Sequence, residues 1–287
     1  MLNKKVLVTG SSSFTGHYVV NELKLAGYEV GDEINDFVDL RDYDSVLSLV
    51  NSIRPNYVIH LAALSFVGCD NVNKIYETNL LGTINLLRAL DESELNLHKV
   101  ILASSANIYG NVESDKISEG QPPNPVSHYG ISKYSMEMAA NQWRGRLPIL
   151  ITRPFNYTGV GQAEHFLVPK IVKHFQQKKQ VIELGNIDVF RDFSDVRDIS
   201  RWYVQLLGST EVVLNINLCS GKLTSLRDII DGLCVIAEYK IMVKVNPDFV
   251  RDNEIKILCG DNTLLQSMVN KNETKSITAT LQWMYYN

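Results

Sequence analysis

Val6-Leu7-Val8-Thr9-Gly10-Ser11-Ser12-Ser13-Phe14-Thr15-Gly16 is the stretch whose reading decides the fold. Val6 to Val8 form a short aliphatic run, as expected of a central parallel strand covered on both faces. A glycine- and serine-rich turn follows, then an amphipathic helix from Phe14 to Ala26 that Gly27 closes. Strand, glycine turn and helix in this order describe a seat for a pyrophosphate on a helix N-terminus. The spacing Gly10 to Gly16 leaves Ser13 at the middle glycine position. That weakens the dinucleotide fingerprint, because a glycine there lets the backbone approach phosphate closely.

The same alternation continues outward. Tyr28-Glu29-Val30 reads as a truncated second strand, with Asp32 and Glu33 after it. An acid there bonds the adenosine ribose and favours NAD, whereas an arginine favours NADP. No arginine or lysine lies between Gly27 and Leu40, but Asp32 also suits a turn, so both cofactors stay open. Phe37-Val38-Asp39-Leu40 reads as a further short strand whose Asp39 could reach the adenine. Helices over Tyr43–Ile53, Asn71–Leu90 and Val126–Arg144 alternate with strands over Tyr57–Leu61, Lys99–Ser104 and Ile149–Arg153. Six strands alternating with helices predict a Rossmann-type, doubly wound parallel α/β sheet. Ligands in such sheets bind beyond the C-terminal strand ends, where Gly10, Leu61-Ala62-Ala63, Ser105 and Arg153 would gather.

Tyr129-Gly130-Ile131-Ser132-Lys133 enters that edge from a helix. A tyrosine and a lysine four apart share one helix face. A charged lysine beside the phenol would favour its ionised form and pull its pKa from about 10 towards neutrality. Such a tyrosine can exchange a proton with a carbonyl or alcohol oxygen, and Ser105 could hold the same oxygen. Alone, the motif also fits a surface pair. Asn79 sits mid-helix against its propensity, which fits either a buried hydrogen-bonding role in function or a structural bridge between helix and sheet. His60 reads as a satisfied core histidine.

The whole chain sets bounds. With 287 residues and a net charge of −4, no basic field invites nucleic acid. No apolar run approaches the roughly 20 residues of a membrane span, and the first residues show no signal-peptide layout. Cys69, Cys219, Cys234 and Cys259 lack metal spacing and read as reduced thiols of a cytoplasmic protein.

Together, Thr9-Gly10 through Gly16, Asp39-Leu40, Leu61-Ala62-Ala63, Asn79, Ser105, Tyr129, Lys133 and Arg153-Pro154-Phe155-Asn156 resemble the extended short-chain dehydrogenase/reductase family. The resemblance covers nearly the full length. It implies NADPH or NADH as cofactor, held by Gly10, Ser12, Ser13, Phe14, Thr15, Gly16, Asp39, Leu40, Leu61, Ala62, Ala63, Asn79, Tyr129 and Lys133. It implies catalysis by Ser105, Tyr129 and Lys133. The run Arg153 to Gln162 and the run Arg191-Asp192-Phe193-Ser194-Asp195-Val196-Arg197-Asp198 are similar to the GDP-mannose branch. Ser105, Asn156, Phe166, Val168, Arg191, Arg251 and Glu254 would then meet a nucleotide-sugar substrate. Arg191 would fork onto the diphosphate. The Arg251 element lacks both of that branch's prolines, with Asp252 and Lys256 in their places.

The residues beside Ser105 select the reaction. Related 4,6-dehydratases carry an acid pair there, whereas this chain has Ala106 and Asn107. Related epimerase-reductases carry a cysteine at Asn107 and a histidine at Phe166. The remaining expectation is reduction of the C4 ketone of GDP-4-keto-6-deoxymannose to a GDP-6-deoxyhexose such as GDP-D-rhamnose, for a surface polysaccharide. A keto-heptose substrate, a 4-epimerase holding NAD and a redox sensor stay as alternatives. The resemblance also implies a cofactor domain over residues 1–155 with return segments at about 180–220. A substrate lobe would occupy about 156–179 and 221–287, and a four-helix bundle would join a homodimer.

Overall fold

The computed structural model describes residues 4–31, 38–65, 71–249, 255–270 and 274–287. The expectations for Asp32, Glu33, Arg251 and Glu254 lie outside the described residues. Six strands build the main sheet: β1 (Lys5–Thr9), β2 (Glu29–Val30), β3 (Tyr57–His60), β4 (Lys99–Ala103), β5 (Ile149–Pro154) and, after three strands of the smaller lobe, β9 (Asn215–Leu218). All pair in parallel, in the order β2-β1-β3-β4-β5-β9. The sixth strand is therefore Asn215–Leu218, delivered by a late return of the chain. Val38 to Leu40 form no strand. Asp39 there is exposed and bound to Arg41, while Leu40 turns into the core.

Alternate residues of each strand feed opposite faces. Leu7, Val58, Val100, Leu102 and Ile151 pack under α2 (Tyr43–Ile53), α4 (Gly82–Glu92) and α5 (His128–Ala140). Val6, Val8, Ile59, Ile101 and Leu150 pack under α1 (Phe14–Leu25) and α7 (Val196–Gly208). Burial on both sides is why these strands read as unbroken apolar runs.

The expected helix over Asn71–Leu90 is one helical run with a widened turn inside it. α3 (Val72–Tyr76) passes into a π-helical turn, Glu77–Leu81, and then into α4. Thr83 Oγ donates to the Asn79 carbonyl, and the Asn79 side chain is engaged elsewhere. Side chains drawn into the ladder in this way favour a π-bulge.

The smaller lobe has its own core. β6 (Asn156–Thr158) and β10 (Leu223–Ser225) join a mixed sheet around β8 (Phe190–Asp195), with β12 (Ile257–Leu258) on its other edge. β7 (Val181–Leu184) pairs with β11 (Met242–Val245). Val168, Ile171, Phe175, Ile182, Leu184, Ile229, Leu233 and Leu281 bind α6 (Leu167–Gln176), α8 (Leu226–Ala237) and α10 (Ile277–Tyr286) together. The lobe therefore takes residues 181–195, which were expected to return to the main sheet. Leu265 of α9 (Thr263–Met268) joins the main-sheet core instead, although it was expected in the lobe. Among the described residues no helix is long and apolar enough to cross a membrane.

Candidate active site

The turn between β1 and α1 is compact because two glycines line it. Gly10 has φ +74°, and a Cβ on it would lie 2.8 Å from the Ala62 nitrogen. A Cβ on Gly16 would lie 2.1 Å from the Gly10 carbonyl oxygen. Only glycine lets β1, α1 and the Leu61-Ala62-Ala63 loop close on one another. Ser13 caps α1, its Oγ accepting from the Gly16 nitrogen at 3.1 Å. Ser12 and Ser13 are exposed, and the first turn of α1 carries no acid. This donor set fits a pyrophosphate. Thr15 is turned inward, its hydroxyl 2.8 Å from Tyr157 Oη, and Phe14 stacks on the Tyr157 ring. Asp39 is committed to the Arg41 fork, which holds its carboxyl down at about 2.

The candidate catalytic residues gather at the end of β4. Ser105 opens a single 3₁₀ turn, Ala106–Ile108, and its Oγ accepts from the Asn107 nitrogen. α5 docks against this turn at Gly130, where a Cβ would lie 2.7 Å from the Asn107 carbonyl oxygen. The glycine after Tyr129 therefore permits the close approach that sets Tyr129 on Ser105. The Tyr129 phenol comes to lie beside the Ser105 hydroxyl. Ser127 caps α5 through the Gly130 nitrogen at 3.1 Å.

Lys133 shares the face of Tyr129, as the spacing requires, but its electrostatic effect differs from expectation. Its Nζ donates to the Ala103 carbonyl at 2.7 Å. Burial, partly offset by the neighbouring Ser105 hydroxyl, pushes Tyr129 up to about 12, and no lowering by Lys133 contributes. Burial likewise brings Lys133 down to about 8, opposed by the charge of Glu137. Desolvation outweighs the charge effect here. Tyr129 is thus a protonated phenol at neutral pH, suited to donating.

Asn79 is a bridge. Its Oδ1 accepts from the Leu64 nitrogen at 2.8 Å, and its Nδ2 donates to the Leu64 carbonyl and to Ser132 Oγ. It ties the loop after β3 to α5. His60 lies between Thr9 and Thr83 hydroxyls, and burial takes it down to about 3.

Sequence reading missed the support under α5. Arg153 forks onto Glu137, with Nη2 to Oε2 at 2.7 Å and Nε to Oε1 at 3.1 Å. Arg153 also donates to Tyr109 Oη, which donates to Asn217 Oδ1 of β9. The available signal was the recurrence of Tyr129, Lys133 and Glu137 at four-residue intervals on one face.

The expected substrate contacts disperse. Asn156 is exposed on β6. Arg191 donates to the Phe190 and Lys256 carbonyls. Phe166 precedes α6, and its ring lies tilted against His165 with centroids 4.3 Å apart. Val168 is 2% exposed and belongs to the lobe core, so its side chain offers no substrate surface.

The GDP-mannose 4,6 dehydratase family matches residues 35–284. The chain belongs to that family. This family member is 38% identical to GDP-6-deoxy-D-talose 4-dehydrogenase of Aggregatibacter actinomycetemcomitans, over 99% of the chain and 97% of the relative. It is 31% identical to GDP-6-deoxy-D-mannose reductase of Pseudomonas aeruginosa, over 92% and 90% respectively. Its fold matches RMD from Pseudomonas aeruginosa complexed with NADPH at a TM-score of 0.90 and 28% identity, covering 99% of this chain and 97% of that one.

Proposed function

We infer that this chain is an oxidoreductase that reduces the C4 ketone of a GDP-4-keto-6-deoxyhexose, with NADPH or NADH as reductant. The observation that carries this reading is the docking of α5 on the Ser105 turn, which sets Tyr129 and Lys133 beside Ser105, with Asn107 where a dehydratase-type acid would stand. Elimination needs proton carriers of the carboxylate kind. A ketone reduction needs one proton donor and one stabiliser of the developing alkoxide. A nicotinamide dinucleotide supplies hydride when bound, and Gly10, Ser12, Ser13 and Gly16 would hold its pyrophosphate. Tyr129 gives its proton to the C4 oxygen, an alkoxide being a stronger base than a phenolate. Ser105 donates to the same oxygen. Lys133 keeps positive charge at the strand end.

Arg191 and Asn156 are proposed for the diphosphate, and the substrate site for the cleft between main sheet and lobe. Leu81, Ile131 and Met138 are exposed on the π turn and α5, which supports burial of this face in a homodimer. We place the protein in the cytoplasm, supplying a deoxysugar for surface polysaccharide.

The test is oxidation of NADPH and, separately, NADH by GDP-4-keto-6-deoxy-D-mannose, followed at the nicotinamide absorbance. Turnover with Tyr129→Phe should fall roughly 10²- to 10⁴-fold while sugar-nucleotide binding persists. Undiminished turnover removes Tyr129 from the mechanism. Product NMR at H4 distinguishes a 6-deoxymannose from a 6-deoxytalose configuration, the C4 difference between the two relatives' named sugars.

A further inference from the structure

The Ser105 hydroxyl is hydrogen-bonded in a way that fixes its polarity. The Asn107 backbone nitrogen lies 3.2 Å from Ser105 Oγ, and Asn107 Nδ2 lies 3.1 Å from it. A serine hydroxyl has one donor and two acceptor sites. Both Asn107 groups are N–H donors, so together they fill both lone pairs. What Ser105 has left is its O–H. The turn that holds Asn107 is itself pinned, by Ile108 nitrogen to Ser105 carbonyl at 3.2 Å and by the Gly130 contact.

We propose that Asn107 is a positioning residue that makes Ser105 an obligate hydrogen-bond donor towards the reacting oxygen. The inference rests on the ketone-reductase reading. A serine free to accept would take the Tyr129 proton in a hydrogen bond and hold it away from substrate. With its acceptor sites filled, Ser105 donates and Tyr129 keeps its O–H for the ketone. Both donors then point at one oxygen as it gains negative charge on reduction of C4. The assignment concerns which partner donates, and that is the property the side-chain amide nitrogen contributes.

Asn107→Asp keeps the size and replaces the donor by an acceptor, to which Ser105 would give its O–H. We expect kcat to fall about 100-fold with KM for the ketone little changed. Asn107→Ala, which keeps the backbone donor, should lose about 10-fold. The deciding measurement is a double-mutant cycle on Ser105→Ala. If Asn107 acts through Ser105, Asn107→Ala adds no further loss in the Ser105→Ala background. An equal loss in both backgrounds overturns the proposal, as does Asn107→Asp turnover at the wild-type rate. Thermal unfolding and NADPH fluorescence quenching check that each variant is folded. Should Asn107→Asp not fold, the neutral Asn107→Ala cycle decides alone. Wild-type protein that oxidises neither NADPH nor NADH with the GDP-ketone overturns the reductase reading and this inference with it. Wild-type turnover with an unaffected Asn107→Asp overturns the inference only.

Discussion

Glu137 and Asp192 are both buried carboxylates that tie elements of the fold together, and they are satisfied in opposite ways. Glu137 meets a guanidinium: it and Arg153 are each about 6% exposed, and the fork closes at 2.7 Å. Asp192 meets main chain. Its Oδ1 accepts from Ser220 nitrogen and Oγ, at 2.8 and 2.6 Å. Its Oδ2 accepts from the Gly221 and Gly260 nitrogens at 2.8 and 3.4 Å. The ion pair locks one rigid helix onto one strand, and α5 carries Tyr129 and Lys133 with it. The collar of N–H groups gathers loops that have no helix to lock, joining β8 to the segments around Ser220 and Gly260. Their electrostatics diverge accordingly. The Glu137 charge opposes the effect of burial on Lys133. Asp192 has its carboxyl raised, because burial outweighs its hydrogen bonds.

Breaking the ion pair should have the largest effect. Glu137→Ala leaves a buried guanidinium facing Tyr109, and we expect a loss of about 3–5 kcal/mol in denaturant unfolding. The double variant Glu137→Met/Arg153→Met should recover most of that loss, since the cost lies in the unpaired charge. A single variant that costs under about 1 kcal/mol would show that the pair does not hold α5.

Asp192→Asn should cost less, about 1–3 kcal/mol, because an amide NH₂ would face N–H donors across half the collar. A cost equal to that of Glu137→Ala would erase the distinction between the two modes.

The smallest effect is in pH. The folded Asp192 carboxyl titrates above its ordinary 3.8. The native state therefore keeps a proton that the unfolded chain has already released. Stability from this group is present at low pH and falls as pH rises through that interval. Unfolding midpoints measured against pH should show a slope there that Asp192→Asn lacks. Identical slopes would mean that the native and unfolded carboxyls titrate alike.

Much of the site was legible because its signals are local. The β1 turn, the α5 face and the Ser105 turn each lie within a few residues, and local spacing fixes which side chains share a face. Gly130 and Asn107 were visible as letters but had no meaning until α5 docked on the turn. Val168 read as a substrate contact by position in a motif, yet the lobe core claimed it. One of the six expected strands was assigned to Phe37–Leu40 because short apolar runs look alike. The sheet instead took Asn215–Leu218, whose only distinction is its partner β5.

By itself, then, the sequence determined the parallel α/β sheet, the close glycine turn at Gly10 and Gly16, and the sharing of one helix face by Tyr129 and Lys133. These follow from backbone sterics and helix and strand periods, which act over a few residues. Tertiary structure decided that Tyr129 is a high-pKa phenol, that Asn79 is spent on a loop, and that Arg153 belongs to Glu137. Those outcomes depend on desolvation and on which polar groups meet across the fold. Both are set by what packs on top of a residue, and no spacing along the chain records that.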